Sequence, residues 1–349
     1  RAALNERLAQ LATSQPMVYA GVLSQPGPTF RLHRGDPLQP KEQVAPGGLT
    51  QFGSPWQLPA EASDQERRLT LARWIASPDH PLTARVIVNR LWHYHLGQGI
   101  VSTPSDLGVN GGRPSHPELL DWLASELVSP RDPAAAPWSL KHIHRLILLS
   151  STYRQSGKSN PEGLAKDAQT RLVWRFPPRR LEAEPLRDAI LAVSGRLDRT
   201  AGGPGFDLFD PNTNYVKVYT SKREFGPETF RRMVYQNKPR MQLDDTFGAF
   251  DCPDAGQIAP KRNTSTTPLQ ALNLLNSSFL QQQSGFFAER LQSEAGPDVA
   301  RQVRLGFQHA LGREPQANEL AAAVALVQEH GLAIFCRALL NANEFVMVY

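Results

Sequence analysis

The sequence predicts a mainly α-helical fold, with a small β element near residues 200–225 and an extended N-terminal strap. Apolar residues recur at helical spacing after residue 63, beginning with Leu69, Ala72 and Ile75. Capping residues precede several of these stretches, and a Pro in the first turn or a Glu or Gln at the third position follows them. Because capping and periodicity are independent signals, their agreement favours helices over strands.

The 349 residues of the chain are 40% hydrophobic, which suffices for a large core. The net charge of +5 is mild, and the basic residues occur mostly in short pairs. Such pairs are typical of solvated helix faces with local ion pairs. A weak attraction to acidic glycans is an alternative, and a nucleic-acid partner is not favoured. No run approaches the roughly 20 apolar residues of a membrane span, so no span is expected in this fragment. Cys252 and Cys336 could be free or paired.

Residues 1–62 are interpreted as a strap or linker from an upstream domain, ahead of a helical domain over 63–349. A short helix over 3–12 and strand-like pieces over 17–22 and 29–33 precede a stretch rich in Pro and Gly. Such a stretch has poor propensity for regular structure, which favours an extended path over the helical body.

Helices are predicted in order along the remaining chain. Five precede residue 197: one after Ser63, one from Pro81 to Gly97, one after Ser115, one after Ser139 and one over 180–196. Four follow residue 265: one after Thr267 and others over 297–311, 316–329 and 332–343. The residues at each start satisfy the first backbone N–H groups of a helix, which is why they mark these boundaries.

Residues 197–265 interrupt the helical pattern and are interpreted as an insertion. Turn residues lead into a β-prone stretch over 215–219, and a brief helix is expected over 228–236. Loops and insertions carry binding sites more often than core helices, so we expect the working surface here, outside the helices.

Seven segments, found in order along the chain, resemble a known family. They are ARWIASPDHPLTARVIVNRLWHYHLGQGIV, SHPELLDWLASELV, WSLKHIHRLILLSSTYRQS, RRLEAEPLRDAILAVSGRLD, FGAFDCPDA, RNTSTTPLQALNLLN and ALLNANEFV. From about residue 64 to 349 the chain resembles planctomycete-specific domain one, a C-terminal domain of unknown function in planctomycete and verrucomicrobial surface proteins. The resemblance implies an exported protein, periplasmic or on the cell surface, and no established enzyme activity.

The same resemblance implies an upstream cytochrome-like domain of the same chain, where haem c would be bound. The fragment itself contains no Cys-x-x-Cys-His motif, so no cofactor is expected within it. The family's association with polysaccharide use favours a polysaccharide or an envelope protein as the partner.

The leading hypothesis is a non-catalytic module that binds a carbohydrate or a partner protein. Aromatic residues are dense in the insertion, and exposed rings beside Asn, Asp and Arg form the usual platform for sugars, although core packing is the default for any single ring. The candidate ligand-binding residues are Phe209, Asn212, Asn214, Tyr215, Tyr219, Arg231 and Arg262.

Two alternatives stay open. Asp251 and Asp254 could supply the carboxylates of a polysaccharide-acting enzyme, or they could form an ion-pair lock with Lys261 and Arg262. A purely structural assembly domain would instead present a large exposed apolar patch and no polar pocket.

Asp207, Asp210, Asn212 and Asn214 are the candidate metal ligands. Closely spaced oxygen ligands suit calcium, although Asp and Asn also favour turns and the spacing is not that of an EF-hand.

The histidine pairs are interpreted as structural. His93 and His95 lie two residues apart, so on a helix their side chains diverge by about 200° and cannot share a metal. We expect His93 to be exposed and His144 to bond to a neighbouring helix. One of Ser265, Thr266 and Thr267 is expected to cap a helix, and the others could bind an anion or a sugar hydroxyl.

Overall fold

The fold is mainly α-helical, as predicted: the described residues of the computed structural model form thirteen α-helices and are 47% helical, and the described strands form small antiparallel pairs. The chain divides into two compact units. Unit 1 combines Arg1–Val88 with Glu118–Leu140, and unit 2 combines Asn89–Pro117 with Lys141–Tyr349. The domain boundary at residue 62 stays a prediction. The structure describes residues 1–14, 20–52, 55–212, 214–215, 218–240, 242, 244, 246–253, 255–256 and 258–348.

Unit 1 holds the N-terminal segment and the first capped helices. Its elements are α1 (Ala2–Ser14), β1 (Phe30–Leu32), β2 (Pro40–Gln43), α2 (Asp64–Ile75), the start of α3 (Thr83–Leu96) and most of α4 (Pro117–Val128). The strap is tied to α2, because Trp74 Nε1 donates to the carbonyl of Phe52 and Arg67 donates to the carbonyls of Ala60 and Ala62. Of the strand expected over 17–22, residues 17–19 lie outside the described residues and 20–22 form no strand.

Unit 2 holds the remaining helices and two strand pairs. The helices are α5 (Leu140–Leu149), α6 (Pro161–Lys166), α7 (Ala183–Val193), α8 (Pro268–Asn276), α9 (Ser278–Ala295), α10 (Val299–Leu311), α11 (Ala317–His330), α12 (Leu332–Leu340) and α13 (Asn343–Val346). The strands are β3 (Arg179–Arg180), which pairs with β6 (Met347–Val348), and β4 (Phe209–Pro211), which pairs with β5 (Tyr219–Ser221). No described helix is long and apolar enough to cross a membrane.

The capping signals locate helix starts well. Ser63 accepts a hydrogen bond from the backbone N–H of Glu66, and Thr267 and Gln270 form a reciprocal capping box. Gly97 follows α3 with a φ of +80°, as a C-terminal glycine should. The brief helix expected over 228–236 is instead two 3-10 turns, because Arg232 between them adopts an extended ψ of 141°.

The core of unit 2 corrects the expectation for the insertion. Rather than staying outside the helices, the 197–265 segment contributes rings to the same buried cluster as α7 and α9–α13: Phe206, Phe209, Phe225, Phe230, Phe247 and Phe250. A buried aromatic side chain removes about 150–250 Å² from water. At about 25 cal/mol per Å², the free energy gained by burying these rings exceeds what the polar flanking turns gain by keeping the segment in water.

A buried arginine fastens this segment to α7. Arg187 is fully buried, donates to the carbonyls of Arg231 (2.9 Å) and Thr229, and lies over the rings of Phe206 and Phe279. Burial lowers the pKa of its guanidinium to about 10, against the opposing effect of nearby Asp188. The side chain therefore connects a helix to a loop through backbone hydrogen bonds.

Candidate functional site

Several basic side chains line a groove in unit 2, which we call the basic groove. It has a volume of about 350 Å³ and lies where the end of α3, the strand β3 and the 261–266 loop meet. Its polar and aromatic lining consists of His93, Tyr94, Gln98, Arg179, Arg180, Glu182, Lys261, Arg262, Thr264, Ser265 and Thr266.

Strand pairing places the two consecutive arginines at this groove. Arg179 and Arg180 are paired with Val348 and Met347, so the strand is fixed by the end of the chain rather than by its own short sequence. Arg179 Nη1 donates to the carbonyl of Tyr94 (2.6 Å), one of the last carbonyls of α3. Cations are favourable at that end of a helix, which explains the contact.

Arg180 anchors a polar network beneath the groove. Its Nη2 lies 3.2 Å from Asp251 Oδ2, and its Nη1 donates to Gln270 Oε1. Ser265 donates to the same carboxylate through its backbone N–H (2.8 Å) and its hydroxyl (2.9 Å). The Nε of Arg180 is buried without a partner among the described residues. Burial lowers the pKa of Arg180 while Asp251 raises it.

A second ionic network forms the wall at Arg262. Arg262 donates to both carboxylate oxygens of Glu184, at 2.5 and 3.1 Å, and lies 3.1 Å from Glu182. Lys238 Nζ donates to Glu184 Oε1 (2.9 Å). Burial raises the pKa of Glu184, but the hydrogen bonds from Arg262 and Lys238 outweigh it and lower that pKa to about 2. This carboxylate is therefore ionised at any physiological pH.

Two cations of the basic groove have no carboxylate partner among the described residues. Arg179 bonds only to a carbonyl, and exposed Lys261 has no ion-pair partner there. His93 is half-buried rather than exposed, which corrects the expectation for it; burial lowers its pKa, and Lys261 and Arg179 lower it further. The imidazole is accordingly neutral at pH 7, while the two unpaired cations face a polar cavity.

A neighbouring groove of about 720 Å³ shares Glu182 and Arg262 with the basic groove. Its lining mixes charges and apolar side chains: Asp188, Arg232, Met233, Val234, Gln236 and Lys238. Gln236 Oε1 is buried there without a hydrogen-bond partner among the described residues. Arg262 thus stands between two cavities of different chemistry.

The predicted carboxylate pair is only partly described. Asp254 lies outside the described residues. Asp251 is held by Arg180 and Ser265 rather than by Lys261 or Arg262, so it forms an ion-pair lock with a different arginine from the one expected. A carboxylate held in this way is already occupied as an acceptor.

Of the seven predicted ligand-binding residues, only Arg262 lines either groove. Arg231 stacks on Tyr235 at 3.9 Å and donates to the carbonyls of Thr200, Gly202 and Pro204, so it organises the segment's own turns.

The other five lie on or beside the β4–β5 hairpin. Phe209 is buried with 3% exposure and meets Tyr219 edge to face, which corrects the expectation of an exposed platform at that ring. Tyr215 is fully exposed, Asn214 is exposed, and Asn212 Oδ1 accepts from the backbone N–H of Val218 (3.1 Å).

The calcium candidates lie along the same hairpin. Asp210 is 3.6 Å from Lys222, and Asp207 is exposed just before β4. Within the described residues, no group of three or more His, Cys, Asp and Glu side chains is arranged to hold a metal ion. Calcium binding through the aspartates and asparagines of this hairpin stays a prediction.

The histidine and cysteine predictions have clear outcomes. His95 Nε2 and His144 Nδ1 lie 2.7 Å apart, which confirms that His144 bonds to a neighbouring helix. Cys252 and Cys336 are both buried and free, so they are not paired.

The sequence analysis missed Arg179, Lys261 and Tyr94 as site residues. The helix predicted over 180–196 begins only at Ala183, and Arg179 and Arg180 form a strand ahead of it. The available signal was the pair of basic dipeptides, at 179–180 and 261–262, each beside hydroxyl or acidic residues. No sequence feature near either dipeptide indicates that the two lie close together in the folded chain.

Comparison with known proteins identifies a family but no function. A model of the PSD1 family, described as a protein of unknown function (DUF1553), matches residues 67–327, about three quarters of the chain. No curated protein and no solved structure matches the chain significantly. The helical segments quoted above fall largely within the matched range, and the chain belongs to the PSD1 (DUF1553) family of proteins of unknown function.

Proposed function

We propose that this domain is a non-catalytic module that binds an acidic carbohydrate in the basic groove. The observation that carries the proposal is the pair of cations, Arg179 and Lys261, that face the groove without a carboxylate partner among the described residues. Arginine and lysine are the side chains that recognise carboxylate, sulfate and phosphate groups most strongly.

The remaining lining suits a sugar. Tyr94 is half-exposed and lines the groove, and so do the hydroxyl-bearing residues Thr264 and Thr266. A ring for the apolar face of a sugar and hydroxyls for its polar rim are the elements such a site needs. The volume of about 350 Å³ lies within the range of small-ligand sites, about 300–1,000 Å³.

The charges at the groove favour binding over hydrolysis. Glycoside hydrolysis requires a carboxylic acid that is protonated near neutral pH. Glu184 has a pKa of about 2 and is held by Arg262 and Lys238, and Asp251 is held by Arg180. Glu182, the carboxylate that lines the groove, lies 3.1 Å from Arg262, so each of these three carboxylates is paired with a cation, which supports the non-catalytic alternative.

The family resemblance supports a cellular setting for this proposal. We propose that the full protein is exported to the periplasm or cell surface, and that the domain holds glycan near an upstream haem-bearing domain. A domain with a net positive charge would retain acidic envelope glycans, whereas neutral glycans would depend on Tyr94 and the hydroxyls alone.

Affinity electrophoresis and calorimetry with dextran sulfate, alginate and neutral dextran test the proposal. We expect the two acidic polysaccharides to bind and neutral dextran to bind far more weakly. Lys261→Ala should weaken binding about tenfold, since a charged hydrogen bond contributes about 1.5 kcal/mol or more. Lys141→Ala, which removes an exposed lysine outside the groove lining, is the matched control. Equal binding by wild type and Lys261→Ala, or no binding to either acidic polysaccharide, would refute the proposal.

A further inference from the structure

An amine, a thiol and a carboxylate are in mutual contact behind the neighbouring groove. Lys238 Nζ lies 2.9 Å from Cys252 Sγ, and Glu184 Oε1 lies 2.9 Å from Lys238 Nζ and 3.7 Å from Cys252 Sγ. The nitrogen–sulfur contact is as short as an ordinary N–H···O bond, although sulfur is larger than oxygen. The sulfur accepts from Lys238, and the thiol can donate to Glu184.

We propose that Lys238 and Cys252 form an oxidative modification site, at which peroxide joins nitrogen and sulfur through a single oxygen atom. The site is separate from the basic groove, and the inference does not depend on what that groove binds.

The contact distance suits an inserted oxygen better than a direct bond. A sulfur–nitrogen bond is shorter than a disulfide bond of about 2.05 Å, so the two atoms would have to close by roughly 0.9 Å or more. A bent S–O–N bridge instead keeps the outer atoms close to their present separation. Glu184 restrains the amine during the reaction, because Arg262 fixes this carboxylate on its other side.

The chemistry balances with two equivalents of peroxide. The Cys252 sulfur attacks one hydrogen peroxide, the O–O bond breaks, and sulfenic acid and water form. The Lys238 nitrogen attacks a second hydrogen peroxide to give a hydroxylamine and water. The hydroxylamine oxygen then displaces the sulfenic hydroxyl, which leaves as a third water. Sulfur and nitrogen are each oxidised, both peroxides are reduced, and the product is S–O–N–H.

The two side chains differ in their exposure to solvent. Lys238 lines the neighbouring groove and its side chain is 27% exposed, whereas Cys252 is buried behind it with 9% exposure. We therefore expect peroxide to react with this sulfur more readily than a larger thiol reagent does. Cys336 is fully buried in α12 and has no hydrogen bond to a lysine among the described residues, so it provides an internal comparison.

The protonation states set the direction of the pH dependence. Burial lowers the pKa of Lys238, but the hydrogen bonds with Cys252 and Glu184 outweigh it and raise that pKa. Burial raises the pKa of the Cys252 thiol, against the effect of Lys238. Both groups must lose a proton to act as nucleophiles, so bridge formation should accelerate as pH rises above neutrality.

Mass spectrometry of the purified 349-residue chain, with and without hydrogen peroxide, tests the site. Trypsin spares the Lys238–Pro239 bond, so Lys238 lies in the peptide 233–240 and Cys252 in the peptide 241–261. We expect these peptides to become linked, with a gain of one oxygen and a loss of two hydrogens, and to separate again on treatment with dithiothreitol.

Variants complete the test. Lys238→Arg keeps the positive charge beside Glu184 and Cys252→Ser keeps a small polar side chain, and neither should form the link; Cys336→Ser should form it as wild type does. Circular dichroism establishes that each variant is folded. Sulfenic or sulfinic acid on Cys252 without a link, or a link that lacks the added oxygen, would overturn the proposal.

Discussion

Cations serve opposite purposes in the core of unit 2 and in the basic groove. In the core, Arg187 is fully buried and both of its terminal nitrogens donate to backbone carbonyls, those of Thr229 and Arg231. In the groove, Arg179 and Lys261 retain capacity for an external anion. The surroundings of a basic residue, and not its type, therefore decide whether it stabilises the fold or is available to a ligand.

The largest expected effect is on the core side of this comparison. Arg187→Ala should reduce the free energy of unfolding by about 3–5 kcal/mol, because it leaves carbonyls without donors and a cavity between two rings. Arg187→Met refills part of the volume and should lose less, which separates packing from hydrogen bonding. Urea denaturation measures both. Arg304→Ala, at a half-exposed arginine, is the control and should change stability by under about 0.5 kcal/mol. A loss for Arg187→Ala as small as that of the control would break the comparison.

Glu184 is partly buried, between fully buried Arg187 and exposed Lys261. We expect its contribution to the free energy of unfolding to depend on pH. Its pKa is lowered from 4.5 to about 2, so its contribution is fully present above pH 4.5 and is lost as pH falls toward 2. The shift corresponds to roughly 3 kcal/mol. Glu184→Gln should therefore be destabilised at pH 7, and its deficit relative to wild type should shrink as pH falls. Denaturant titrations at pH 7 and pH 2.5 measure the deficit, and a deficit independent of pH would contradict the assignment.

The smallest expected effect on stability is in the groove. Lys261→Ala should change the free energy of unfolding by no more than about 0.5 kcal/mol, because the side chain is exposed and forms no described ion pair. The same variant is expected to lose about tenfold in affinity for dextran sulfate. A thermal melt beside the binding assay compares the two. A loss of more than about 1 kcal/mol in the free energy of unfolding would show that Lys261 stabilises the fold, as Arg187 does.

The predictions from sequence succeeded where the signal is local. Ser63, Thr267 and Gly97 mark helix boundaries through contacts that span only a few residues, and the structure contains each of those contacts. The helix α9 was missed as a separate element, because only one extended residue, Ser277, separates it from α8. Only the short sequence around that serine could have indicated the break.

The predictions for the site failed where the signal is not local. Phe209 and Tyr215 are both rings in a turn-rich segment, yet one is buried and the other fully exposed. Asp251 was expected to meet the nearby Lys261 and Arg262, but it is paired with Arg180, which is 71 residues away. Composition identifies such residues as chemically capable, but it does not identify their neighbours.

The helical class, most helix starts and the family of this chain could be predicted from the sequence, because caps, periodicity and family motifs depend on residues that are close together along the chain. The folded structure was needed to show which rings are buried, which carboxylates are paired with cations and which described cations have no carboxylate partner. The basic groove joins residues near 94, 179 and 261, and the contact of Lys238 with Cys252 joins two loop positions. Burial and charge pairing depend on distances between remote residues, and those distances exist only once the chain has folded.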